Sequence, residues 1–329
     1  MSLKLKDVMM LSSHNTILPN RQFSFFSQEM DKKRMFGEFI KRLPNKCGFI
    51  EIDIINMLYN PSEIYVDHCL CMRKIPLKYV LNQIKKYYDN GKLHYPLIIE
   101  FDIKNFFTDK SAFAKNLWKT ISKFCGTHNS TQIIKKSKFP ECIILCGSQE
   151  YNYDNHKFHL TNNKKMDITK MYPSHLSKDV NYNILKAIHH KINIPALNYQ
   201  HYDESIAMSE ALFHRKPYLR LTTLSKPQHI NKHLSILSKM DDLEVLCYGI
   251  NDIENNNGQV HKGRIFDLHK FGKMFPMICF RYKAKYVGAL NLENTHGKKS
   301  ILLGKKGYGT RDTDKIKIYI FIKSHNHTN

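Results

Sequence analysis

The stretch Val8-Met9-Met10-Leu11-Ser12-Ser13-His14-Asn15-Thr16-Ile17-Leu18 decides how the rest of the chain is read. Four apolar residues run into Ser-Ser-His-Asn-Thr, and apolar residues then resume. A short, bounded apolar run fits a buried strand better than a helix. Such a strand delivers His14 and Asn15 at its C-terminal end, where a parallel α/β barrel collects its working side chains.

Three later stretches repeat the layout. Gly48-Phe49-Ile50-Glu51-Ile52-Asp53-Ile54 sets two carboxylates at i and i+2, on one face of a strand. Ile64-Tyr65-Val66-Asp67-His68 ends on a second histidine, and Pro96-Leu97-Ile98-Ile99-Glu100-Phe101-Asp102 ends on acids. Helical patterns are expected at Gln28–Ile40, Leu77–Tyr87 and Ser111–Ile121, and a further short strand at Cys142–Cys146. Strands alternating with helices argue for a parallel sheet.

These motifs, in this order and spacing, resemble the X region of the eukaryotic-type, calcium-dependent phosphoinositide-specific phospholipases C. The resemblance rests on Ser12-Ser13-His14-Asn15-Thr16, the Glu51/Asp53 pair, Tyr65-Val66-Asp67-His68 and Pro96–Ile99 leading to Asp102. A weaker resemblance to the family's Y region covers about residues 205–310, through Leu221-Thr222-Thr223-Leu224-Ser225, Lys273-Met274-Phe275-Pro276 and Tyr286–Leu292. It implies a distorted TIM-type (β/α)8 barrel built from an X-like half (1–147) and a Y-like half (205–329), joined by a linker (148–204). Asn, Tyr, His and Lys dominate that linker, and its one good helical patch is Ile184–Ile188. In the Y-like half a strand is expected at Leu219–Leu224, a helix at His229–Met240, a strand at Leu243–Tyr248, a loop at Asp252–Gly258 and a late strand at Ile316–Ile322. The barrel is expected to stand alone, without the pleckstrin-homology, EF-hand or C2 modules of animal relatives.

The resemblance also implies a chemistry. His14 would stabilise the pentacoordinate phosphate, and His68 would protonate the leaving diacylglycerol. Glu51 or Asp53 would take the proton of the inositol 2-hydroxyl. Calcium would be held by Asn15, Glu51, Asp53 and Asp102, one amide and three carboxylates, which is a hard-oxygen set suited to that ion. The family has Glu where Asp102 stands, and Glu100 on the same strand face could make up the missing methylene. Headgroup contacts would come from Ser148, Thr223, Lys273 and Phe275. The family's two ring-phosphate lysines are replaced here by Cys146 and Ser148, its Ser pair by Thr222-Thr223, and its Arg-x-Tyr-Pro by Lys273-Met274-Phe275-Pro276. The grip on the headgroup is therefore thinned while the catalytic set is retained. A catalytically weak relative that binds membrane phosphoinositides is the alternative reading.

Bulk properties narrow the class further. A formal charge of +22, from 51 Lys and Arg against 29 Asp and Glu, attracts anionic lipid and, in low salt, nucleic acid. No nucleic-acid motif accompanies the charge, so no specific nucleic acid is expected. No apolar run reaches the length of a membrane span. The N-terminus lacks a signal-peptide pattern, and Ser2 stands where myristoylation needs glycine. The 8 cysteines show no framework spacing and suit a reducing cytosol. His68-Cys69-Leu70-Cys71 lacks the Cys-x-x-Cys partner of a structural zinc site. The expected place is cytoplasmic and peripheral at membranes.

Overall fold

The structure, a computed structural model, describes residues 7–14, 47–56, 63–66, 75–91, 93–104, 116–117, 119–121, 133–134, 142–146, 157–159, 169–173, 181–214, 216, 218–221, 226–254, 258–308 and 314–324. The chain divides into two compact units. The first is Met1–Asp179 with Asn193–Gln200, and the second is Val180–Ile192 with His201–Asn329.

The first unit is built on parallel strands. Cys47–Asn56 pairs in parallel with Ser12–Ser13 on one side and with Leu93–Lys104 on the other. Leu93–Lys104 pairs in parallel with Cys142–Cys146 in turn. On the outer side of the first strand, Ser13 bridges Leu197 in parallel, and Ile194–Pro195 pairs in parallel with Thr169–Met171. Six parallel segments thus form an arc. Successive residues Phe49, Ile50, Leu97, Ile98 and Ile99 are all buried, so both faces of these strands are covered, as parallel sheets require. The helix Leu77–Asp89 buries Leu77, Val80, Leu81, Ile84 and Tyr87, a helical spacing that lays one stripe against the sheet. The parallel strands, this helix and the helical residues at 116–117 and 119–121 agree with the sequence-based expectation, whereas Ile64–Val66 pairs antiparallel with Cys47–Asn56 and so departs from it; Gln28–Ile40 lies outside the described residues.

The seam that closes the arc is made by Asn193. Its side-chain NH2 donates to the Val8 carbonyl at 2.8 Å, and its side-chain oxygen accepts from the Thr169 amide at 3.0 Å. The Met10 amide donates to the Asn193 carbonyl and the His14 amide to the Leu197 carbonyl, both at 2.8 Å. This seam falls inside the stretch expected to be a linker, and it holds the N-terminal strand in place.

The second unit begins with two short helices. Ile184–His189 is capped by the Asn183 side chain, and Glu204–Leu212 by the Asp203 carboxylate, each accepting a backbone N–H at 3.0 Å. Among the described residues that follow, no two strands are paired in parallel. Eight strands form one antiparallel sheet in the order Gln259–Lys262, Leu243–Cys247, Met277–Tyr282, Tyr286–Asn291, Gly297–Lys305, Lys315–Ser324, Lys232–Ile236 and Ile265–Asp267. Tyr286–Asn291 and Gly297–Lys305 share only two register pairs, Tyr286↔Lys305 and Val287↔Gly304. The sheet folds over at that junction. Val245, Ile278 and Phe280 from one side then pack in one core with Leu234, Leu303 and Ile320 from the other.

The expectation of a parallel Y-like half over 205–329 is therefore corrected in the described residues. Lys232–Ile236 is a strand where a helix was expected at His229–Met240, because Leu234 and Ile236 face the core while His233 and Ser235 face outward. Ile250–Glu254 is helical where a loop was expected from Asp252. The strands expected at Leu243–Tyr248 and Ile316–Ile322 are present as Leu243–Cys247 and Lys315–Ser324. Of Leu219–Leu224, only Leu219 and Arg220 fall in a described strand, Tyr218–Arg220.

Candidate active site

Register sets the acids. Glu51 lies opposite Glu100 and Asp53 opposite Asp102 across two parallel strands. The four carboxylates therefore occupy two layers on one face, with the aspartates one layer nearer the strands' C-terminal ends. Ser12 pairs with Phe49 and Ser13 with Ile50, so His14 follows level with Glu51. Its Nε2 lies 3.5 Å from the Glu51 carboxylate.

The other ring nitrogen of His14, Nδ1, stands 2.7 Å from the Asn198 side-chain oxygen. Neutral imidazole carries one N–H, and an oxygen acceptor at Nδ1 holds it there. Nε2 then faces Glu51 as an acceptor, or as a second donor once the ring is protonated. Tyr172 stacks on the same ring with centroids 5.6 Å apart and planes 14° from parallel. His14 is thus fixed at its edge and across its face.

Lys170 occupies the lower layer. Its ammonium lies 3.1 Å from Glu51 and hydrogen-bonds Glu100, with all three side chains buried. It also sits 5.5 Å from the centroids of the Phe49 and Tyr172 rings. Burial alone would lower this ammonium's pKa, but Glu100 and Glu51 outweigh burial and hold it above the ordinary lysine value. Burial pushes the Glu100 carboxyl up to about 7, against the pull of Lys170 and with the Glu51 charge adding to the rise. One Glu100 carboxylate oxygen is thus held by Lys170.

This contact also reports the curvature of the sheet. Lys170 and Glu100 are four strand spacings apart along the arc, roughly 19 Å if the sheet were flat. A lysine side chain spans only a fraction of that, so the arc curls until its ends face each other, as a barrel wall does.

Among the described residues no three His, Cys, Asp or Glu side chains converge closely enough to hold a metal ion. The donor types nevertheless fit calcium: Glu51, Asp53 and Asp102 offer hard oxygens from one face of two register-matched strands. Asn15, His68, Ser148 and Thr223 lie outside the described residues.

The two remaining expected headgroup residues are in the second unit. Phe275 is 1% exposed, a core ring and not an open aromatic platform. Lys273 is exposed on a two-residue strand paired with Gln228–His229. The Lys-x-aromatic-Pro sequence that reaches His14 is Lys170-Met171-Tyr172-Pro173. It keeps the tyrosine of the family's Arg-x-Tyr-Pro, which Lys273-Met274-Phe275-Pro276 does not. That retained phenol was the available signal. Asn198 carried none, being one asparagine in an asparagine-rich stretch.

Residues 1–143 match the family model for the phosphatidylinositol-specific phospholipase C X domain. Two crystal structures resemble the fold over the full chain. The L. pealei PLC21 structure gives a TM-score of 0.62 at 14% identity, with 100% of this chain and 56% of that one covered. The S. officinalis PLC21 structure gives 0.65 at 13% identity with the same coverages. At these identities the likeness concerns fold alone, and the chain spans little more than half the length of either relative. No curated protein sequence matches the chain.

Proposed function

We propose that the chain is a phosphoinositide phospholipase C, cleaving the glycerol–phosphate bond of phosphatidylinositol or its phosphates to diacylglycerol and an inositol phosphate. The observation that carries this reading is His14, fixed by Asn198 and Tyr172 and turned toward Glu51, within a segment that matches the X domain. The first unit is read as the wall of a distorted TIM-type barrel, with the site at the C-terminal ends of its strands.

In this reading Glu51 or Asp53 accepts the proton of the inositol 2-hydroxyl as its oxygen attacks phosphorus. His14 donates through Nε2 to a phosphate oxygen as negative charge builds there. His68 protonates the diacylglycerol oxygen as the phosphorus–oxygen bond breaks, leaving a cyclic phosphate. His68 then takes a proton from the water that opens it. Asn15, Glu51, Asp53 and Asp102 would hold calcium, which when bound neutralises phosphate charge and lowers the hydroxyl pKa. Lys170 holds Glu51 in place from below, and Tyr172 offers the aromatic face expected of the headgroup platform. Ser148 and Thr223 stay candidates for headgroup contact. Among the described residues no helix is long and apolar enough to cross a membrane, and the chain is read as acting peripherally at the cytoplasmic side.

The test is release of water-soluble inositol phosphate from phosphatidylinositol vesicles, with and without a calcium chelator. Calcium-dependent release is expected. Vesicle binding without release at any calcium level would support the alternative, a relative that binds phosphoinositide and does not cleave it.

A further inference from the structure

The antiparallel sheet of the second unit has an outer face whose rows can be read across four strands. Ile265, Ser235, Phe321 and Lys298 are register partners side by side. The next row sets Tyr319 against Ser300, and the next sets Lys317 against Leu302. On the other flank, His233 stands between Lys323 and Asp267. The inward residues between these, Ile318, Ile320 and Ile322, are at most 1% exposed. Their outward neighbours Tyr319 and Phe321 are 41% and 42% exposed, Leu302 55% and Ile265 73%. This is a cluster of large apolar side chains on a face that alternation should have made polar.

Lysines ring the cluster. The Lys298 and Lys317 ammonium groups lie 5.5 and 5.3 Å from the Tyr319 ring centroid. Among the described residues no carboxylate pairs with Lys298, Lys317 or Lys323. Asp267, the one acid in these rows, is taken up by His269 at 2.7 Å.

We propose that this face docks the chain onto an anionic lipid bilayer. Phe321, Ile265 and Leu302 enter the headgroup–acyl boundary, Tyr319 lies at headgroup level, and the lysines meet lipid phosphates with their stems along the apolar patch. Charge complementarity selects this occupant. A second copy would bring lysine against lysine. A nucleic acid would use the lysines and a ring or two, and leave Ile265 and Leu302 without a partner. The proposal deepens the lipid-directed reading above by naming the surface that holds the chain at its substrate, and it can fail while that reading stands.

The experiment is co-sedimentation with phosphatidylcholine vesicles, plain or doped with phosphatidylserine, across a salt series. Circular dichroism and hydrolysis of a soluble short-chain phosphatidylinositol serve as controls. The wild-type chain should prefer doped vesicles and release with salt. K298E/K317E/K323E should weaken doped-vesicle binding at least about a hundredfold, from about fivefold per lysine. I265S/F321S should weaken it about tenfold and leave the salt dependence unchanged. Both variants should keep the fold and the soluble-substrate rate. Equal binding of wild type and the lysine variant, or equal binding to plain and doped vesicles, would overturn the proposal. So would a lysine variant that loses only oligonucleotide binding, or only self-association. Face-dependent vesicle binding with no hydrolysis of any substrate would uphold the docking face and sink the lipase reading.

Discussion

The two units handle lysine in opposite ways. In the first, one lysine is buried among acids, fixed by two carboxylates and two rings. In the second, lysines stand on an outer sheet face beside exposed apolar residues, with the core one position away along the same strand. The lesson is that net charge says little about where charge acts. A buried charge is specified by geometry and is costly to disturb, whereas a surface charge acts with its neighbours and is cheap to change singly.

The strongest test of that contrast is Lys170→Met. It strands Glu51 and Glu100 without their cation, and loss of about 3–5 kcal/mol of stability is expected, as when a buried pair is broken from one side. Urea unfolding followed by circular dichroism measures it. Adding Glu100→Gln should recover part of the loss. A stability change as small as that of a surface lysine would break the comparison.

His14→Ala comes next. Turnover should fall by about 10³-fold, or about 4 kcal/mol in the barrier, while the urea midpoint barely moves. Asn198→Ala should leave chemistry possible but untether the ring. A loss of about tenfold in kcat is expected, worth about 1.4 kcal/mol, with little change in KM.

Within the second unit, Ile320→Ala should cost about 2–5 kcal/mol by leaving a cavity. Its neighbour Tyr319→Ala should stay within about 0.5 kcal/mol. Differential unfolding of the two variants sharpens the inside–outside reading of that strand.

The smallest effect concerns buried thiols. Burial pushes Cys47 and Cys247 up to about 12 from an ordinary 9.0. An unfolded thiol ionises first, so each contributes stability that is present below about pH 9 and lost as pH rises toward 12. Stability measured over that window should decline, and alkylation of these thiols at neutral pH should require unfolding.

The first unit was legible because parallel strands buried on both faces read as unbroken apolar runs that end on chemistry, as in Phe49–Asp53 and Leu97–Asp102. What could not be read there was the partner across the curl. Lys170 lies in a polar stretch whose only regular-looking patch was the helix at 184–188. Nothing local says that it reaches Glu100. In the second unit the alternation of Lys315–Ser324 gave the late strand away. Lys232–Ile236 failed because an alternating pattern of five residues cannot outweigh a longer window that also fits a helix. The pattern at Lys273 is a different case: the same short pattern recurs at Lys170, and the two copies differ in sequence by Tyr172 against Phe275 and in the structure by the burial of Phe275.

The Asn193 seam has a consequence for how the molecule is made. His14 and Asn198 are 184 positions apart, and Val8 and Asn193 are 185. Until residue 198 has been synthesised, the first strand has a partner on one edge only. Its other edge and the His14 ring must wait. Contacts of such sequence separation slow folding, because the intervening chain is ordered before they repay it. A nascent chain that ends before Asn198 therefore carries an open strand edge, the form most prone to pairing with another chain. Ribosome-arrested chains cut before and after Asn198 should differ sharply in protease resistance of the Val8–His14 segment, and in their demand for chaperones.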